Sequence, residues 1–390
     1  MKLIKLFSML ILFVVMQGCS ITNEYADTEL KDAYLDEHFT TSEEIIPQED
    51  LFKVSPAMLE YIDKRLADVA NPGMQADRLI RDLFSPDYMN IRYVHDANFT
   101  PAETFEKGLA NCMSLTLLSY VLVNNTGLKA RFMNVEVEEN WNVSERYTQL
   151  NGHVNLEIEE PTSNSSVIYM YGKTYKVDFL PMLSAQVKSK KTLTKRQITA
   201  LFYNNKGAES MANGNRSLAY QYFKKASQLA PEQAGVWGNL ASLYRQAGHI
   251  AQAEKLYAHA IKLAPDNLNI QENLALLYEK TGRQSLANNL YDKVERARKH
   301  NPYYYSMLAE EALYKNDPEQ AISLFKKAIR IERRDHTFYF GLAKSAMQMN
   351  QPKQAEKYLI KAKKLAEDSR EKEKYQSKIS ALASLVAKAH

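Results

Sequence analysis

A 34-residue period runs through the C-terminal half of this 390-residue chain, and it constrains the fold more than any other feature. A step of 34 from Ala219 meets Ala253, Ala287, Ala321 and Ala355. The same step from Phe223 meets Tyr257, Tyr291, Phe325 and Leu359, all large and apolar. Gly207 leads to Ala241, Ala275, Ala309 and Ala343; Ala226 leads to Ala260, Val294, Ala328 and Ala362. Leu240, Leu274, Leu308 and Leu342 fill a further column, broken by Lys206 in the first unit. Tyr203, Trp237, Tyr305 and Tyr339 open most units, with Gln271 the exception, and Pro231 and Pro265 close the first two. Small residues at a fixed interval let paired helices approach closely, and the large residue fills the gap to the next pair. Five such units span residues 200–367 without insertion, and residues 368–390 read as a helix that caps the last one.

This period and pattern resemble tetratricopeptide repeats. The resemblance implies an all-α solenoid with a concave surface for a protein or peptide partner, although fold alone does not say which partner. The run Tyr303, Tyr304 and Tyr305 reads as repeat packing rather than as a ligand box.

The other end of the chain carries an address. Lys2 and Lys5 precede an apolar stretch from Leu6 to Met16, too short to span a bilayer as a helix. Met16-Gln17-Gly18-Cys19 follows, and a small residue directly before a cysteine resembles the lipobox of bacterial lipoproteins. The resemblance implies a signal peptide over residues 1–18, a lipid on Cys19, and a place in the bacterial cell envelope. With Ser20 after the cysteine, the expected site is the outer membrane facing the periplasm. An ordinary secretory signal or an uncleaved anchor is the alternative. Residues 19–53 are expected to form an acidic flexible tether, since residues 20–52 hold ten Asp and Glu against Lys31 alone. Residues 200–390 are basic, with thirty Lys and Arg against nineteen Asp and Glu. The overall net charge of +4 is too small to imply nucleic acid, and a mean hydropathy of −0.43 argues against a polytopic membrane protein.

Between tether and repeats lie residues 54–195, which mix periods. Ser55-Pro56 and Thr100-Pro101 are helix starts, as is Asn111 before CMSLTLLSYVLVNN, which should stop near Gly127. KARFMNVEVEE from Lys129 and NGHVNLEIE from Asn151 then alternate as strands, with Val154, Leu156 and Ile158 opposite His153, Asn155, Glu157 and Glu159. SVIYMYG and KTYKVDFLP read as a further hairpin pair, placing Asp178 on the polar side with Lys176. If Cys19 is acylated, Cys112 has no intramolecular partner. It stands in the first turn of a helix, where free N–H groups and the dipole favour a thiolate. A helix-start cysteine followed by a strand histidine and a strand aspartate is a nucleophile, base and orienter in sequence order.

At GLANCMSLTLLSYVL, NGHVNLEIE and YKVDF the chain resembles the transglutaminase-like, papain-related superfamily over roughly residues 75–185. The resemblance implies an α+β domain with Cys112 as nucleophile, His153 as base and Asp178 as orienting carboxylate, and neither cofactor nor metal. Gly108 and Ala110 depart from the family's usual glycine two before the cysteine, and Asn155 from its aromatic two after the histidine. The expected fold is thus an α+β transglutaminase-like domain followed by an all-α tetratricopeptide-repeat solenoid. Three functions stay open: a membrane-anchored thiol enzyme (peptidase, amidase or acyltransferase) acting on amide bonds; a non-catalytic repeat-containing adaptor; and an envelope assembly lipoprotein. In the enzyme case the resting pair is expected to be thiolate and imidazolium.

Overall fold

The computed structural model describes residues 33–136, 139, 141–143, 148–150, 152–159, 174–178, 189–367 and 369–388. The signal segment and Cys19 lie outside these residues, as does the first strand of the expected hairpin, SVIYMYG.

The α/β unit opens with α1 (Pro56–Tyr61), capped by the Ser55 side chain on the Met58 N–H and continued by a π-helical turn over Ile62–Leu66. Helix α2 (Pro72–Phe84) is capped by Asn71 and buries Ala76, Leu79 and Leu83. Strand β1 (Arg92–Tyr93) pairs in parallel with β2 (Leu109–Ala110), and α3 (Pro101–Lys107) between them starts in a Thr100/Glu103 capping box. Gly108 ends α3 at φ +64°, a left-handed backbone that favours glycine. Helix α4 (Cys112–Asn124) is buried on nearly every side and forms the centre of the unit. Strands β3 (Lys129–Glu136), β6 (His153–Glu159), β7 (Thr174–Val177) and β8 (Ser189–Leu193) make an antiparallel sheet in the order β7-β6-β3-β8. Strands β4 (Trp141–Val143) and β5 (Thr148–Leu150) form a separate antiparallel pair. Phe132, Val154, Leu156, Ile158, Tyr175 and Val177 join α4 in one apolar cluster, as the period-two pattern requires.

The repeats follow as five antiparallel helix pairs: α5 (Lys195–Ala212) with α6 (Arg216–Leu229), α7 (Ala234–Ala247) with α8 (Ile250–Leu263), α9 (Leu268–Lys280) with α10 (Gln284–Arg298), α11 (Pro302–Tyr314) with α12 (Pro318–Ile331), and α13 (His336–Gln348) with α14 (Pro352–Leu365). Helix α15 (Ser369–Lys388) lays Tyr375 and Leu382 against the last pair. The small and large columns meet as the period demands. A Cβ on Gly207 would stand 2.6 Å from the Phe223 ring of its own pair, and one on Gly341 would strike Phe325 of the preceding pair. Unit one begins at Lys195 rather than residue 200, because Thr194 and Gln197 form a capping box. Nor is it separated from the α/β unit: Ile198, Phe202, Tyr203, Tyr222 and Ala226 share the apolar core of α4 and the sheet.

The flexible tether expected over residues 19–53 requires correction from residue 33 on, where the structure describes it. Residues 33–53 are packed onto the first two repeats. Phe39 is 3% exposed and stacks on Tyr220, with ring centroids 4.8 Å apart. Tyr244 donates to the Ala33 carbonyl and Tyr203 to the Ile46 carbonyl, both at 2.8 Å. Asp36 accepts from Tyr220 at 2.8 Å and from Lys224 at 2.5 Å. The segment lies extended with two short 3-10 turns, so its apolar residues follow no helical or strand period, and tyrosine hydroxyls of the repeats satisfy its backbone.

Candidate functional site

Asn111 caps α4 by accepting the Ser114 N–H at 2.9 Å, which fixes Cys112 as the first helical residue. The Ser114 hydroxyl in turn accepts from the Phe99 N–H and donates to the Ala97 carbonyl, each at 2.8 Å. This ties the preceding loop around the helix start. One turn beyond Cys112, the Thr116 hydroxyl donates to the Val154 carbonyl at 3.3 Å. Residues four apart share a helix face, so Cys112 stands on the side of α4 that meets the start of β6.

His153 and Asp178 come together as expected. The imidazole Nε2 lies 2.8 Å from Asp178 Oδ2, and the two side chains are 5% and 4% exposed. A carboxylate only accepts, so Nε2 donates the proton of this bond. The sheet register explains the meeting. Leu156 pairs with Val177, and one step further Asn155 stands opposite Asp178, so both project to the face that carries His153. Asn155 donates to the same Oδ2 at 3.1 Å, and Lys176 reaches it at 2.7 Å. The sequence marked Asn155 only as a departure from an aromatic. Its role as a second support of Asp178 has no signal until the strands are aligned. The polar face of β6 is therefore not a solvated one: His153 and Asn155 are buried, and only Glu157 and Glu159 are partly exposed.

The resting thiolate expected at Cys112 requires correction. Burial, and then the Asp178 charge, push the thiol up to about 12, against smaller opposing effects of the helix-start N–H and Lys176. Among the described residues no hydrogen bond joins Cys112 to His153. A helix start helps a thiolate only where solvent or a cation shares the work, and the apolar cluster beside Cys112 offers little of either. A cleft lined by Tyr61, Tyr88, Arg92, Phe105 and Lys107 includes none of Cys112, His153 and Asp178.

Comparison with known proteins bears on the repeats. A tetratricopeptide repeat family model matches residues 210–262 and 312–379, and a second of the same description matches residues 239–302. No curated protein matches the chain. Among solved structures, one described as the functional characterization of Pseudomonas aeruginosa pilF is 15% identical. It covers 50% of this chain and 94% of its own, with a TM-score of 0.30. The MamA structure from Desulfovibrio magneticus RS-1 is 17% identical over 43% of this chain and 94% of its own, with a TM-score of 0.26. On the family-model matches alone, the C-terminal region carries tetratricopeptide repeats. Neither family model reaches residues before 210, so the α/β unit is described by its own geometry.

Proposed function

We propose that this protein is a repeat-based adaptor of the bacterial cell envelope, in which the solenoid binds a protein partner. Lipid on Cys19 would hold it at the outer membrane facing the periplasm. The observation that carries this reading is the uninterrupted array of five repeat pairs, an architecture whose curved surface serves extended protein ligands. Asn239 and Asn273 occupy one repeat column on the first helices of units two and three, and both are half-buried polar groups. In-cell cross-linking tests the reading. An adaptor keeps its protein adducts in Cys112→Ser and loses them in Asn239→Arg/Asn273→Arg. Adducts that survive the double arginine variant overturn it. Replacing Cys19 with serine should leave an unprocessed precursor or release the protein; a correctly cleaved variant that stays with membranes contradicts the anchor.

A second reading rests on the His153–Asp178 pair, whose carboxylate acts electrostatically on the Cys112 thiol. In it the α/β unit is a transglutaminase-like thiol acyltransferase or hydrolase. With the thiol neutral at rest, Nδ1 of His153 takes the proton as sulfur attacks an amide carbonyl. The leaving amine departs protonated, and water or another amine then takes the acyl group from the thioester. Amide cleavage that persists in Cys112→Ser would rule this out.

A further inference from the structure

One buried arginine joins the two halves of the molecule. Arg298, the last residue of α10, is 1% exposed. Its Nε and Nη2 grip both carboxylate oxygens of Glu139, at 2.7 and 3.0 Å, and its Nη1 meets Glu272 of α9 at 2.6 Å. Asn301, the cap of α11, donates to the Glu139 main-chain carbonyl at 2.7 Å. Two residues on, Trp141 faces Tyr304 with ring centroids 6.1 Å apart. The guanidinium lies over both rings, 4.8 Å from Trp141 and 5.5 Å from Tyr304. Glu139 and Trp141 come from the α/β unit; every group that receives them belongs to repeats three and four.

The clamp has the parts of a peptide-recognition site. A donor to a main-chain carbonyl accepts any residue, a forked guanidinium selects a carboxylate, and a ring pair selects an aromatic at the second position. A single surface ion pair would not need the arginine buried, nor its third nitrogen held by Glu272.

We propose that this face of repeats three and four recognises an extended segment of a partner protein carrying a carboxylate and, two residues on, an aromatic ring, and that Glu139 and Trp141 occupy it in the resting chain. This rests on the reading that the repeats bind protein, and it names the chemistry of the partner. The chain's own segment acts as a tethered competitor, so a partner binds only with the fraction of molecules in which the clamp is open.

The test uses the full chain and a fluorescein-labelled peptide of sequence Val-Glu-Glu-Asn-Trp-Asn-Val. Glu139→Gln weakens the internal competitor and should bind the peptide at least tenfold more tightly than the parent. Trp141→Ala should do the same through a different group, which keeps the test open if Glu139→Gln fails to fold. Adding Arg298→Lys to either variant should lose that gain, because a lysine cannot grip both oxygens. Equal affinity for parent and opened variants, no binding to either opened variant, or no effect of Arg298→Lys overturns the proposal. Cross-links that survive in such a case leave the adaptor reading standing with a different recognition chemistry.

Discussion

Asp178 Oδ2 takes three donors at once, the imidazole Nε2 of His153 at 2.8 Å, the Lys176 ammonium at 2.7 Å and the Asn155 amide at 3.1 Å. The carboxylate is therefore a structural hub as well as a partner for the imidazole. Asp178→Ala leaves a nearly buried imidazole and amide without their acceptor, and should destabilise the protein by roughly 3 kcal/mol. Asp178→Asn, which keeps an acceptor oxygen, should cost less. Urea unfolding of the three proteins checks the order; an Asp178→Ala variant as stable as the parent contradicts the hub.

Cys112 alkylation reports on the thiol directly. With the thiol pushed up to about 12, first by burial and then by the Asp178 charge, thiolate is scarce at pH 8. Iodoacetamide labelling should be slow at neutral pH and rise close to tenfold per pH unit from pH 8 to 11. A plateau reached below pH 8 would instead mean that His153 and Cys112 rest as an ion pair.

The packed N-terminal segment should respond to acid. His38 and His249 meet edge to face, with ring centroids 4.6 Å apart, and burial followed by the His38 charge lowers the His249 pKa. The folded state then binds fewer protons than the unfolded chain. The contribution is present above the ordinary histidine value near 6.5 and is lost below it, as pH falls through the lowered value of the folded state. The hydrogen-exchange protection of residues 33–53, corrected for the intrinsic pH dependence of amide exchange, should fall between pH 7 and 5.5, and His249→Phe should flatten that dependence. Protection that stays constant with pH in the parent would remove His249 from the account.

The repeat columns predict their own sensitivity. Ala253 and Ala321 are fully buried between paired helices. Leucine at either position should cost roughly 1–3 kcal/mol through overpacking, with the damage spreading to adjacent units. Parent-like melting of both variants would contradict the register of the columns.

The repeats were legible because a 34-residue spacing survives in the sequence whatever the units contact. The order Cys112, His153, Asp178 was legible because each lies in a segment with a clear local period. What escaped depends on contacts across the chain. Residues 33–53 carry acidic charge like a solvated linker, yet four tyrosines, Tyr203, Tyr220, Tyr222 and Tyr244, hold them. The apolar surroundings of the partly buried Cys112 come from the sheet and helix around it, while the helix-start rule alone points to a thiolate. Glu139 and Trp141 sit in a polar stretch whose partner, Arg298, lies 159 residues from Glu139.

One periodic signal lay in plain view in the turns. Gly214, Gly248 and Gly282 adopt φ of +82°, +88° and +74°, and the next two steps of 34 are Asn316 and Asn350, at +61° and +58°. Each sits in the turn between the two helices of its unit, where the chain must pass through the left-handed region. Glycine does so freely, and asparagine is the side-chain-bearing residue that tolerates it best. Asn316→Gly should thus hold stability within a few tenths of a kcal/mol, since relief of backbone strain offsets the added entropy of the unfolded chain. Asn316→Ala should cost about 1 kcal/mol, and Asn316→Val more, because a branched Cβ meets the following carbonyl. Thermal or urea unfolding of the three variants reads this order directly. Valine tolerated as well as glycine would mean that the turn can rearrange, and that the left-handed position is not what sets the 34-residue step.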